Sequence, residues 1–146
     1  MKYDKETFKE VLEPHHRTYW KIAYTKLQRK MQSLKSSLKK RSEDADVKFD
    51  ITMEDLREMF YVKYGKSCRY CRKKLTIRNM VCDHIIPLSK SGESVKENLQ
   101  LICKACNTRK GPLDEKDFEE LIFWVETLKD ETKEYVLRKL AKGGRY

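Results

Sequence analysis

No stretch of this chain is apolar for long enough to span a bilayer, so no membrane helix is expected and no membrane partner follows. The opening Met1-Lys2-Tyr3-Asp4-Lys5-Glu6 has no apolar core behind its charges and is not expected to be a secretory leader. No internal repeat is visible. Acidic residues are missing altogether from His16 to Ser42, while Arg17, Lys21, Lys26, Arg29, Lys30, Lys35, Lys39, Lys40 and Arg41 fall inside that stretch. A surface of one sign on that scale is either a solvated basic face or a contact for a polyanion, and the net charge favours the second. Nor is there a disulfide framework: of five cysteines, four stand in CxxC pairs, which suits a reducing compartment and metal ligation.

What is present fits one ordinary domain of 146 residues. Apolar residues make up 39% and charged residues 38%, enough for a modest core under a highly charged surface, which a bound zinc ion would reinforce. The net charge of +10 favours nucleic acid as partner.

The acid-free stretch carries an apolar seam at Trp20, Tyr24, Leu27, Met31, Leu34 and Leu38, in steps of four and three that place it on one side of a helix. The seam packs on the body of the chain or against a second copy, the latter giving a homodimer through this N-terminal helix. The basic faces, with Arg17, Lys21, Arg29, Lys30, Lys35 and Lys39, are candidates for phosphate contact. His15 and His16 follow Pro14 and read as a loop before this helix. Arg41–Asp46 reads as a polar break and hinge. Thr52, with Asp55 three residues on, is an N-cap for a short helix through Met53, Leu56, Met59 and Phe60 that ends near Gly65. Leu75 to Ile86 is rich in apolar and β-branched residues with a turn at Arg78-Asn79. Ser89 to Ser94 is a loop, Leu99–Cys103 alternates like a strand, and Lys104–Lys110 is a short helix stopped by Gly111-Pro112. The tail holds two amphipathic patterns with balanced charge, consistent with structural packing. The organisation expected is a basic helical arm over 1–47, a core over 48–112 and a helical extension over 113–146.

Cys68-Arg-Tyr-Cys71 and Cys103-Lys-Ala-Cys106 bracket the middle of the chain. CxxC spacing sets two sulfurs within reach of one ion at about 2.3 Å, and two such pairs close a tetrahedral Zn²⁺ site with no open position. Cys82, outside both pairs, reads as a small buried strand residue. Between the pairs stand Asp83 and His84, and Asn107 follows the last cysteine. A neutral histidine takes a proton from water near neutral pH, and a carboxylate with an amide oxygen suits a hard ion that keeps several waters. Neighbours on a strand face opposite ways, so Asp83 and His84 share a site only where the strand ends or bulges; Pro87 fits such an ending. Asn107 and Lys110 share a helix face, which puts Lys110 near a phosphate backbone or leaves it a plain surface lysine.

The run Cys68-Arg-Tyr-Cys71, then Cys82-Asp83-His84-Ile-Ile-Pro-Leu-Ser, then Glu97-Asn98-Leu-Gln-Leu-Ile-Cys103-Lys-Ala-Cys106-Asn107-Thr-Arg-Lys110-Gly resembles the HNH endonuclease family over about residues 48–112. The resemblance implies an α+β ββα-metal core with a four-cysteine zinc site. It implies His84 as general base, Asp83 and Asn107 as ligands of a catalytic Mg²⁺ or Mn²⁺, and Asn98 as a brace for the loop between the strands. The products would be 5′-phosphate and 3′-hydroxyl ends. Two departures stand out: the third family position, often His, is Asn107, and the loop's common Gly-Gly is Ser91-Gly92. The basic helix before the core is similar to that of phage-encoded members, so the expected setting is the cytoplasm of a bacterial or phage-infected cell.

The resulting expectation is a metal-dependent endonuclease acting on DNA, double-stranded in the first instance. The rivals are a zinc-dependent DNA-binding module without catalysis and a nuclease for RNA or branched substrates.

Overall fold

The computed structural model describes residues 2–142. The chain enters through α1 (Lys5–His16), whose N-cap Asp4 accepts a hydrogen bond from the Thr7 amide at 2.9 Å. Pro14 does not end this helix but lies within its last turn, so His15 and His16 are helical, against the loop expected for them. They pack on Tyr64 at the end of the third helix. A single 3₁₀ turn at Arg17–Tyr19 leads into α2 (Trp20–Asp44).

The seam is buried as its spacing predicts: Trp20, Ala23, Leu27, Met31 and Leu38 are all inside. Leu27, Met31 and Leu38 are wholly inaccessible, so the seam is used up within the chain and offers no surface for a second copy. Of the two alternatives for the seam, packing within the chain is the one seen. The hinge expected at Arg41–Asp46 is corrected: α2 continues through Asp44 because Ser42 is buried and bonded, and the chain turns only after it.

β1 (Phe49–Asp50) precedes α3 (Met53–Lys63), which opens with the anticipated capping box between Thr52 and Asp55. Such a box is worth about 1 kcal/mol. Tyr64 ends the helix and Gly65 follows at φ +75°, next to the His15 ring. The turn expected at Arg78-Asn79 is present: the Asn79 carboxamide accepts from the Thr76 amide and donates to the Lys74 carbonyl. β2 (Met80–His84) follows it and is shorter than the apolar run.

After β2 come a 3₁₀ turn at Leu88–Lys90, β3 (Ser94–Val95) and β4 (Leu99–Cys103). β2 and β4 pair antiparallel, Asp83 opposite Gln100 and His84 opposite Leu99, with no bulge. β1 and β3 pair parallel, Phe49 opposite Ser94. α4 (Lys104–Lys110), α5 (Glu115–Glu126) and α6 (Asp130–Leu140) complete the order. No described helix is long and apolar enough to cross a membrane.

The expected boundaries near 47 and 112 fall in connections, but the core ignores them. One apolar cluster takes in Phe8 and Leu12 of α1, the α2 seam, Phe60 of α3, three of the CxxC cysteines, the β4 residues Leu101 and Ile102, and Phe118 of α5. A second joins Leu38 of α2 to Ile51, Leu56 and Leu99. The helical arm is thus a wall of the body that carries β2, β4 and α4.

One glycine in the loop between β2 and β4 is required by a close approach. A Cβ on Gly92 would sit 1.7 Å from the Ile86 carbonyl oxygen and 2.8 Å from that of Pro87. Its amide donates to the Pro87 carbonyl at 2.9 Å. Both obstacles are backbone, so the loop itself must move to admit a methyl group. Gly92→Ala is expected to lower stability by about 2–3 kcal/mol, the upper range for overpacking. Urea unfolding checks this; an unchanged midpoint would show that the loop is not held against Ile86.

Candidate metal and nuclease site

α4 contributes to two sites. The first is the set of four thiols. The knuckle at Cys68–Cys71 is closed by the Arg72 amide donating to the Cys68 carbonyl and by Arg72 at φ +66°. Cys103 caps the start of α4 and Cys106 lies in its first turn. The four sulfurs lie within 4.8 Å of one another, and none of the cysteines is in a disulfide. A tetrahedral set of thiolates on that scale fits Zn²⁺, so the cluster could hold a zinc ion. Cys68 is held well below the ordinary thiol range, at about 4, first by the Cys106 thiol donating to it and then by the amides of Cys103, Cys71 and Tyr70.

The second site is a pocket of ≈ 220 Å³ at the C-terminal end of β2, lined by Arg41, Cys82, Asp83, His84, Asn107 and the Pro87–Ser89 turn among others. β2 ends at His84, and there the alternation of the strand lets both neighbours reach the pocket edge from opposite faces. Asp83 faces across the ladder. Its Oδ2 accepts from Gln100 Nε2 at 2.9 Å and pairs with Lys110 Nζ at 3.0 Å. Its Oδ1 has one longer contact with the same ammonium, at 3.3 Å. The second Gln100 N–H goes to Tyr70 Oη at 3.0 Å, which ties the carboxylate to the first CxxC knuckle. Tyr70 packs edge-on against Phe118, and burial raises its hydroxyl to about 12, so it stays protonated.

Lys110 is the largest departure from the expected site. It is 1% exposed, and its ammonium also donates to the His84 carbonyl at 3.0 Å. It therefore braces the site from inside and presents nothing to a nucleic-acid backbone. A buried ion pair of this kind is retained for geometry more than for stability, since desolvation offsets much of the attraction.

His84 faces the other way, toward α2. Its Nε2 lies 2.8 Å from Ser94 Oγ, and Ser94 Oγ lies 2.6 Å from Ser42 Oγ. Burial, then the Arg41 charge, holds the imidazole below its usual value; Asp83 opposes this and Lys110 adds to it. The ring is thus neutral at physiological pH. Asn107 lies on α4 beside Cys106, partly exposed, and no hydrogen bond engages its carboxamide among the described residues. Asn98 spans the loop: its Nδ2 donates to the carbonyls of Ile86 and Glu93, and its Oδ1 accepts from the Ile86 amide. Cys82, expected inside the strand, is half-buried and lines the pocket.

The basic residues of the arm divide. Arg17, Lys21, Arg29 and Lys39 are exposed and Lys35 is partly so. Lys30 is instead a tether, its Nζ donating to the Ile77 carbonyl at 2.7 Å. Sequence reasoning missed Arg41, Ser42, Ser94 and Gln100. Arg41 and Ser42 were hidden by the polar composition at the end of α2. Gln100 was findable in principle, standing second in β4 and directly opposite Asp83.

Two antiparallel strands followed by a helix, with a four-thiol cluster at the base, define an α+β fold of the ββα-metal type. The family described as HNH endonuclease matches residues 68–113, from the first CxxC cysteine to just past α4. This segment is an HNH domain, in a family of endonucleases, and it implies a nucleic-acid substrate. A search of curated proteins finds no match to the chain.

Proposed function

We propose that this protein is a metal-dependent endonuclease that hydrolyses DNA phosphodiester bonds at the pocket ending β2. The observation that carries the reading is the convergence of His84, Asp83, Asn107 and Arg41 on that one pocket inside the HNH segment. The base is His84: it is neutral, fixed at one nitrogen and set at the pocket edge, and it takes a proton from the attacking water.

Asp83 Oδ1, engaged only by the longer Lys110 contact at 3.3 Å, and the Asn107 amide oxygen are the oxygens left for an ion. An all-oxygen pair suits Mg²⁺ or Mn²⁺ over softer metals. When bound, such an ion would supply charge neutralisation to the phosphate and to the leaving 3′ oxygen. Gln100 and Lys110 orient the Asp83 carboxylate, and Lys110 offsets its charge where no ion does. Arg41 sets a cation on the His84 side of the pocket, where a phosphate oxygen would be received.

Duplex DNA is the substrate the arm suits. Lys21 to Arg41 spans about 30 Å of helix at 1.5 Å per residue, and Lys21, Arg29, Lys35 and Lys39 lie along it, with Arg17 in the turn before it. That length matches roughly nine base pairs of backbone.

Supercoiled plasmid incubated with Mg²⁺, with Mn²⁺ and with EDTA tests the reading. Nicked or linear product is expected with either ion and none with EDTA. Retarded but intact plasmid under every metal would overturn it in favour of a zinc-dependent binding module. Preferential cleavage of RNA or branched DNA in competition would reassign the substrate.

A further inference from the structure

The His84 ring is not anchored by a backbone carbonyl directly but through two buried hydroxyls. Ser94 and Ser42 are both fully inaccessible, so water does not compete for them. Ser42 belongs to α2, and its Oγ lies 2.6 Å from the Leu38 carbonyl one turn back as well as 2.6 Å from Ser94 Oγ. Ser94 is held independently by the β1–β3 pairing, its amide donating to the Lys48 carbonyl at 2.9 Å.

The far end of this chain of contacts fixes its direction. A carbonyl oxygen only accepts, and each hydroxyl has one proton to give. A contact of 2.6 Å to the Leu38 oxygen requires the Ser42 proton to lie there. Ser94 must then donate to Ser42, and Ser94 has only a lone pair left for the histidine. Nε2 must therefore carry a hydrogen and donate it.

We infer that the Ser42–Ser94 hydroxyl relay, running from the Leu38 carbonyl of α2 to His84 Nε2, locks the imidazole in its Nε2–H tautomer and makes Nδ1 the basic nitrogen. Nδ1 has no partner among the described residues, and the ring lines the pocket. Ser42 and Ser94 are thus positioning residues: neither touches substrate, and both act through His84. The arm becomes part of the site, supplying the acceptor that orders the protons. The catalytic consequence rests on the nuclease reading, but the tautomer does not.

Two variants and a spectroscopic readout test this. Ser42→Ala removes the acceptor for Ser94 without touching His84. The Ser94 hydroxyl is then free to donate to Nε2, which would move the hydrogen to Nδ1. Ser94→Ala removes the relay at the ring. Two-bond ¹H–¹⁵N correlation spectra of the zinc-loaded protein report which nitrogen carries the hydrogen. The wild type is expected to show Nε2–H, and Ser42→Ala to show a rise in Nδ1–H at unchanged melting temperature. Cleavage by either variant is expected to fall about 10- to 100-fold in kcat with little change in KM, the range seen when the partner of a working histidine is lost. An Nδ1–H wild type, or a Ser42→Ala protein with the wild-type tautomer, overturns the relay whatever the activity. A wild type that is Nε2–H yet cleaves nothing leaves the relay standing and removes the nuclease reading instead.

Discussion

His84→Ala is expected to lower DNA cleavage by about 10³-fold or more while leaving DNA retention and zinc content at wild-type levels. The magnitude is that of a general base removed from a proton transfer, 10²–10⁴-fold. The selectivity follows from the surroundings. His84 ends β2, and its ring fills a space between α2 and the loop, not the main apolar cluster. Its loss leaves Ser94 Oγ without a donor but still bonded to Ser42. Asp83 keeps Gln100 and Lys110, and the exposed arm cations are untouched.

The pH dependence has a definite sign. The folded imidazole titrates below its usual value, chiefly because it is buried. The wild-type rate should hold down through neutrality and fall only on the acid side of the ordinary histidine range. The folded state binds the proton less readily than the unfolded chain. Wild-type stability is therefore full above the ordinary imidazole pKa and falls as pH drops through it toward the lower folded value. His84→Ala lacks that loss. Cleavage rates and melting temperatures of the two proteins from acid to neutral pH check both limbs. Cleavage by the mutant at the wild-type rate would remove His84 from the chemistry.

The site was legible where chemistry depends on residue type at short spacing. CxxC pairs need only two sulfurs per knuckle, so Cys68, Cys71, Cys103 and Cys106 could be read directly, and they do cluster. The α2 seam and the Thr52 cap are local periodic or paired signals, and both appear in the structure. What could not be read depends on tertiary contact. Nothing in the sequence distinguishes Lys110, buried against Asp83, from Lys104, exposed six residues earlier. Ser42 looked like part of a hinge because its composition is polar; it is buried because a serine from β3 meets it across 52 positions. The turn expected at Arg78-Asn79 is there, closed by the Asn79 side chain, but β2 stops at His84 although Ile85 and Ile86 continue the apolar run. The arm reads as a segment of its own because its charge differs so sharply from the rest, and its apolar seam joins it to the common core.

Cys106→Ser is expected to have the largest effect on the fold. Structural zinc in small peptides contributes about 10–16 kcal/mol near neutral pH, comparable to the whole stability of an ordinary domain at 5–15 kcal/mol. Three of the four cysteines are buried in the main cluster, packed with Leu75, Met80 and Phe118. Without the ion, this part of the core holds sulfurs that cannot all be ionised together, since the hydrogen bond to Cys68 and then burial push the Cys106 thiol up, and burial pushes up that of Cys103. The α-helix that carries Asn107 begins at Cys103, and Lys110 closes on Asp83 from its last turn. Loss of the staple therefore releases α4 and, with it, one oxygen of the proposed ion pair and the cation beside the other. The variant should bind less than about a tenth of the wild-type zinc and melt more than about 10 °C lower, which corresponds to several kcal/mol for a domain of this size. Chelation of the wild type should show the same in two phases. A fast loss of cleavage, reversed by Mg²⁺ alone, would mark the exchangeable ion; a slow loss, reversed only when Zn²⁺ is restored, would mark the four-thiol site. Zinc content by elemental analysis and calorimetric melting check the outcome. A Cys106→Ser protein with wild-type melting would show that the core holds α4 without the ion, and zinc would then have no structural role at these thiols.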